Sequence, residues 1–131
     1  AKCMRILQEE AQLDEIVRLV GMDALSPQNR LTMETAKSIR EDYLHQNAFH
    51  EVDTFTSLEK QEYMLRLILT FDELAKDALD KRVDIEDILA LDVRESIGRA
   101  KYIPETEMHK FDDILAQIRS DMRNLTDEGE I

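Results

Sequence analysis

Ser57-Leu58-Glu59-Lys60-Gln61-Glu62-Tyr63-Met64-Leu65-Arg66-Leu67-Ile68-Leu69-Thr70-Phe71, running on to Asp80, is the segment around which the rest of the chain has to be arranged. Thr56-Ser57-Leu58-Glu59 has capping-box spacing, with the threonine as cap and the glutamate reaching back to its N–H. Met64, Leu65, Leu67, Ile68, Leu69 and Phe71 then cover nearly the whole circumference of a helix. A helix that is apolar all round is stable only when other elements surround it. The segment therefore predicts a buried central helix over 57–80, and the flanking sequence should supply its neighbours.

Upstream, Ile6, Leu13, Ile16, Val17 and Val20 recur at three-and-four spacing, with Gln8, Glu9, Glu10 and Arg18 off the stripe. That pattern predicts an amphipathic helix over 3–20. Gly21 stands where a left-handed residue ends a helix. Ser26-Pro27 pairs an N-cap with a proline at the first helical position, starting a second helix that should run to about His45. Its inner side would be Leu31, Ala36, Ile39, Tyr43 and Leu44. Two helices with so short a connection must fold back on each other, giving a hairpin with its tip at Met22–Asn29.

Gln46 to Thr56 breaks the helical period and reads as an ordered loop. Downstream, Asp84 starts a short helix through Leu89, and a second follows Asp92, using Val93, Ile97 and Ala100. Pro104 opens a long last helix with the stripe Met108, Phe111, Ile114, Leu115, Ile118, Met122 and Leu125, and the acidic tail 126–131 should fray. Composition agrees: 131 residues with 3 glycines, 2 prolines and 5% aromatic residues suit a single all-α helical bundle. A β-sandwich or barrel would need turn residues at short intervals.

Seventeen basic residues against 29 acidic ones leave a net charge of −12. Such a surface repels phosphate backbones and anionic headgroups, which argues against nucleic-acid or membrane binding. Cys3 is the one cysteine, too few for an internal disulfide or a thiolate zinc site. No apolar run approaches the roughly 20 residues of a membrane span, and the start lacks a signal-peptide pattern. An intracellular protein is expected, and the opening Ala1-Lys2-Cys3-Met4 suggests a piece of something larger.

Chemistry is sparse. No G-x-x-x-x-G-K-[ST] loop, G-x-S-x-G or H-E-x-x-H occurs, so no catalytic residue is assigned within the chain. His45, His50 and Asp53 have metal-ligand types but lack a fourth strong ligand, and a cap-and-loop role suits the histidines better. His109 belongs on a polar face. Phe49 stands in the polar segment Gln46-Asn47-Ala48-Phe49-His50, where no helical stripe requires an aromatic. It is either a plug against the third helix or an aromatic wall for a flat ligand, with Gln46 and Asn47 supplying amides.

The run Ser38-Ile39-Arg40-Glu41-Asp42-Tyr43-Leu44-His45-Gln46-Asn47-Ala48-Phe49-His50-Glu51-Val52-Asp53-Thr54, with Ser57-Leu58-Glu59-Lys60-Gln61 after it, closely resembles the catalytic A subunit of V-type and archaeal A-type rotary ATPases. Leu13-Asp14-Glu15-Ile16-Val17-Arg18-Leu19-Val20-Gly21, Asp23-Ala24-Leu25 and Lys101-Tyr102-Ile103-Pro104 fit the same family. The resemblance covers essentially the whole chain and only the C-terminal helical domain of that subunit. The non-catalytic B subunits share this architecture, so the assignment to A rests on the Q-N-A-F block.

The resemblance implies that the phosphate loop and catalytic glutamate precede Ala1. Gln46, Asn47, Ala48 and Phe49 would then form the adenine side of a pocket for ATP or ADP with Mg²⁺. Purine stacking on an aromatic is worth on the order of 1–3 kcal/mol. The tip Met22-Asp23-Ala24-Leu25-Ser26 is similar to the rotor-contacting turn of F-type β subunits, D-E-L-S-E-E-D, but Ala24, Pro27, Gln28 and Asn29 replace its other acids. Contact with the rotor is therefore expected to be steric, through a stiff hairpin. The implied partners are B subunits and central-stalk rotor subunits, at the cytoplasmic face of a membrane. The implied activity is ATP synthesis or hydrolysis coupled to proton or sodium transport, with the isolated fragment inactive. The competing expectation is a free-standing acidic adaptor that docks a protein partner and no nucleotide.

Overall fold

The computed structural model describes residues 2–21, 23, 25–44 and 58–129, with the side chains of 42–44 and 128–129 excepted. Among the described residues there is no strand, and the architecture is the all-α bundle expected. Helix α1 spans Lys2–Val20 and α2 spans Pro27–Ser38. Helix α3 spans Leu58–Asp80, α4 Ile85–Leu89, α5 Val93–Arg99 and α6 His109–Gly129.

Helix α3 lies between α2 and α6 and packs along both. Met64, Leu67, Ile68, Phe71, Ala75, Ala78 and Leu79 are buried along its length, while Leu65 and Leu69 are half-buried. From α6, Phe111, Leu115, Ile118 and Met122 pack into the same core. Tyr63 stacks on Phe111 with ring centroids 5.3 Å apart. From α2 come Leu31, Ala36 and Ile39, each fully buried. A fully buried leucine, isoleucine or phenylalanine contributes roughly 1.5–3 kcal/mol, so the contacts on both sides of α3 carry most of the cohesion.

Helix α1 folds back on α2 as the short connection requires. Lys2 Nζ reaches Glu73 Oε1 on α3 at 2.5 Å, and Ile6 and Leu13 are buried. The stripe does not stay buried to its end. Ile16, Leu19 and Val20 are exposed, as are Pro27, Gln28 and Asn29 at the start of α2. Burial on α2 begins in earnest at Leu31, so the tip end of the hairpin stands clear of the core.

Three boundaries differ from the sequence expectation. Helix α2 does not run unbroken to His45: after Ser38 it widens into a π turn over Ile39–Leu44. Nothing local dictates this, since Ile-Arg-Glu-Asp-Tyr-Leu contains neither glycine nor proline. The wide turn coincides with tertiary anchoring of Ile39, which is fully buried, and of Arg40, whose Nη2 meets Glu10 Oε2 at 2.5 Å. The last helix begins at His109, not at Pro104. Glu107 N–H donates to Pro104 O at 2.9 Å, making a tight turn over Glu105–Glu107 first. At its far end α6 continues to Gly129 instead of fraying from Thr126, whose Oγ1 donates to Met122 O at 3.0 Å. The expected caps and loop over 45–57 lie outside the described residues.

The termini at Ser26, Asp84, Gly21 and Arg82 follow the capping rules, whereas Asp92 before α5 makes no side-chain cap bond. Ser26 Oγ accepts from Asn29 N–H at 3.1 Å with Pro27 behind it, and Asp84 Oδ1 accepts from Glu86 N–H at 3.1 Å. Gly21 ends α1 with φ +89° and donates its N–H to Val17 O at 2.9 Å. Helix α3 ends in a Schellman arrangement: Val83 N–H donates to Ala78 O and Arg82 N–H to Leu79 O, each at 3.0 Å. The left-handed position there is Arg82, with φ 70°, where glycine is usual.

These two termini make opposite predictions. A Cβ added at Gly21 meets nothing within 4 Å, so Gly21→Ala should cost about 1 kcal/mol from backbone conformation alone. Arg82→Gly should instead stabilise, by up to about 1 kcal/mol. Urea unfolding of both variants checks this, and two changes of the same sign would contradict it.

Candidate functional site

The two segments singled out by the sequence join opposite ends of one helical element. At the N-terminal end of α2 is the hairpin tip. There Asp23 and Ser26 are exposed and Leu25 is half-buried, while Met22 and Ala24 lie outside the described residues. At the C-terminal end, α2 passes through the π turn into residues 45–57. Gln46, Asn47, Ala48 and Phe49 lie outside the described residues, as do His45, His50 and Asp53. Among the described residues no group of three His, Cys, Asp or Glu side chains could hold a metal ion. Cys3 is half-buried and His109 exposed.

Between the two ends, α2, α3 and α5 enclose a cleft of about 250 Å³. Leu31, Ile68, Phe71 and Ile97 form its apolar lining, with Glu34, Lys37, Glu41 and Arg94 among its polar residues. Arg94 spans it: Nη2 donates to Glu34 Oε2 at 3.0 Å and Nη1 to Leu89 O at 3.1 Å. Arg30 pairs with Glu86 on α4. The lining of this arrangement also includes Ser38 and Thr35, and the Thr35 hydroxyl donates to the carboxylate of Asp72. Its chemistry is that of a clamp, holding α2 against the bundle through charge-assisted bonds.

The deepest polar contact was not anticipated from the sequence. Asp72 is 1% exposed in the middle of α3, and Thr35 Oγ1 on α2 donates to its Oδ1 at 2.7 Å. Lys76 Nζ stands 2.9 Å from Oδ2. That oxygen has no hydrogen bond of acceptable geometry, so the lysine acts on it as a charge. An aspartate directly after Phe71 on the most apolar helix was the available signal, because a buried carboxylate demands partners.

Two further buried ionisable groups were equally silent. Lys60 Nζ donates to the Lys101 carbonyl at 2.9 Å, tying the start of α3 to the turn before α6. Burial pushes its pKa below the ordinary lysine value, against the opposing charge of Glu105. Glu10 is 7% exposed on α1. Burial raises its pKa above the ordinary 4.5 and Asp14 adds to this, while Arg40 opposes it by charge and hydrogen bond. Arg40 is itself half in solvent, which is why the desolvation of Glu10 outweighs the pair.

A carboxyl whose pKa is raised in the folded state contributes stability below its unfolded value, and that contribution is lost as pH rises through the folded value. Wild type should therefore lose stability relative to Glu10→Gln between about pH 4 and pH 7. Urea unfolding of both proteins at the two pH values checks this, and a relative gain by wild type would contradict it.

Comparison with known proteins agrees with this geometry. The family described as the C-terminal domain of V and A type ATP synthase matches residues 1–89. The V-type ATP synthase alpha chain of Acetivibrio thermocellus is 61% identical over 123 residues, covering 93% of this chain and 21% of that relative. That of Clostridium perfringens strain 13 is 58% identical over 130 residues, 99% of this chain and 22% of the relative. That of Thermoanaerobacter pseudethanolicus is 54% identical over 129 residues, with 98% and 22% covered. The chain thus spans about a fifth of the length of the curated relatives it matches. With a hairpin, a central helix and a long last helix in the expected order, and with these matches, the chain belongs to the family of C-terminal domains of V- and A-type ATP synthases.

Proposed function

We propose that this chain works as the C-terminal helical domain of the catalytic alpha subunit of an ion-translocating rotary ATP synthase or ATPase. There it would complete the adenine side of the nucleotide site and touch the central rotor. The observation that carries this is the pairing of family membership over residues 1–89 with a hairpin whose second helix joins the two implied sites. Phe49 would offer its ring to the adenine, with Gln46, Asn47 and Ala48 beside it. The phosphates and Mg²⁺ would be held by residues outside this chain, so the chain alone would neither make nor hydrolyse ATP.

The hairpin tip, residues 22–26, would meet the rotor. Leu25 supplies an apolar contact there, while Asp23 and Ser26 are solvent-facing. A helix of about 18 residues is a rod of roughly 27 Å, long enough to carry displacement between the two sites. The bundle rests on non-catalytic B subunits and the rotor as partners, in the peripheral sector at the cytoplasmic face of the membrane. No described helix is long and apolar enough to cross a membrane. Proton or sodium transport would be driven or exploited elsewhere in the complex.

An adenine contact lies far from the γ-phosphate and contributes mostly uniform binding, which appears in KM and not in kcat. Phe49→Ala in the full-length subunit, assembled in its complex, should raise KM for ATP about tenfold, corresponding to roughly 1.4 kcal/mol of lost stacking. The change in kcat should be small. Steady-state hydrolysis reads both constants, and a fall in kcat at unchanged KM would overturn the adenine assignment.

A further inference from the structure

We propose that the π turn over Ile39–Leu44 is a register switch in the rod, latched in its wide form by the Arg40–Glu10 ion pair. Its mechanical consequence rests on the function proposed above, whereas the latch itself does not.

The local sequence gives no reason for a wide turn. Arginine, glutamate and leucine are good α-formers, and the segment has no glycine or proline. A π turn replaces i→i−4 bonds with i→i−5 bonds and so accommodates one surplus residue; such turns recur at functional positions within helices. The helix is still tight where it enters the turn, because Ile39 shares its N–H between the carbonyls of Ala36 and Thr35. The register changes only after Ile39, which is sealed in the core.

The next residue is where an outside element takes hold. Arg40 Nη2 lies 2.5 Å from Glu10 Oε2, and Glu10 sits on α1, buried to 7% exposure. Glu41, one residue on, is exposed. Only the Glu10 side of this pair is buried, and Arg40 is half in solvent. Ion pairs that draw a charge into the core are poor sources of stability, and their best-attested use is to specify one register over another. Here the pair joins Arg40, the second residue of the wide turn, to the helix that leads to the hairpin tip. Conversion of the turn to regular α-helix would shift everything beyond it by one residue, about 1.5 Å along the axis and about 100° around it. Sliding α1 against α2 would pull on that latch directly.

The test reads hydrogen-bond acceptors by through-bond NMR couplings in the isotopically labelled chain. In the wide turn Leu44 N–H donates to the carbonyl of residue 39; in an α-helix it donates to that of residue 40. Wild type should couple to residue 39, and Arg40→Ala, at a half-exposed position, should move the coupling to residue 40. Coupling to residue 39 in Arg40→Ala would overturn the latch, and coupling to residue 40 in wild type would overturn the switch. If the Arg40→Ala signal is lost to unfolding, the isosteric Glu10→Gln decides by the same criterion. Neither nucleotide nor rotor enters this measurement, so its failure is distinct from failure of the proposed function.

Discussion

Everything in this bundle depends on sheltering one helix from water. Helix α3 carries apolar residues on most of its surface, and one neighbour could not cover it. It is covered from two sides, by α2 through Leu31, Ala36 and Ile39 and by α6 through Phe111, Leu115 and Ile118. Within that contact lies Asp72, whose carboxylate could not be buried without the Thr35 hydroxyl and the Lys76 ammonium. The α2–α3 contact is therefore both apolar and hydrogen-bonded, and α2 has one way to seat itself. A carboxylate left without those partners would cost more than the pairing contributes.

Seating α2 fixes the hairpin. Arg30 and Glu34 pair with Glu86 and Arg94 beyond α3, and Lys2 ties α1 to Glu73. The hairpin is thus held along its middle, while Asp23 and Ser26 at its tip stay in solvent. A rod clamped at the middle and free at one end suits the transfer of displacement. On the proposed function, that is the mechanical task of the domain. The half-exposed pair between Glu10 and Arg40 adds a link from the middle of α1 to the π turn that follows α2.

Much of this was legible in the sequence. The apolar circumference of α3, the Ser26-Pro27 start of α2, Gly21 and the stripe of α6 each state a local rule that the fold obeys. What was not legible required knowing what touches what. The π turn coincides with the anchoring of Ile39 and Arg40 to other elements, and no propensity encodes it. The exposure of Ile16 and Val20 follows from where α2 first enters the core, which periodicity alone does not reveal. Arg82 occupies a left-handed position that the sequence does not mark with a glycine. For the site, the Q-N-A-F block and the tip were legible only through family resemblance, because a lone loop phenylalanine has no distinctive spacing.

The proposed rotor contact stands or falls on whether the hairpin tip transmits force. Replacing residues 22–26 with glycines in the full-length subunit, assembled with its rotor, and recording single-molecule torque alongside ATP hydrolysis tests this directly. A stiff steric contact predicts continued hydrolysis with torque largely lost. Unchanged torque from the glycine tip would contradict it.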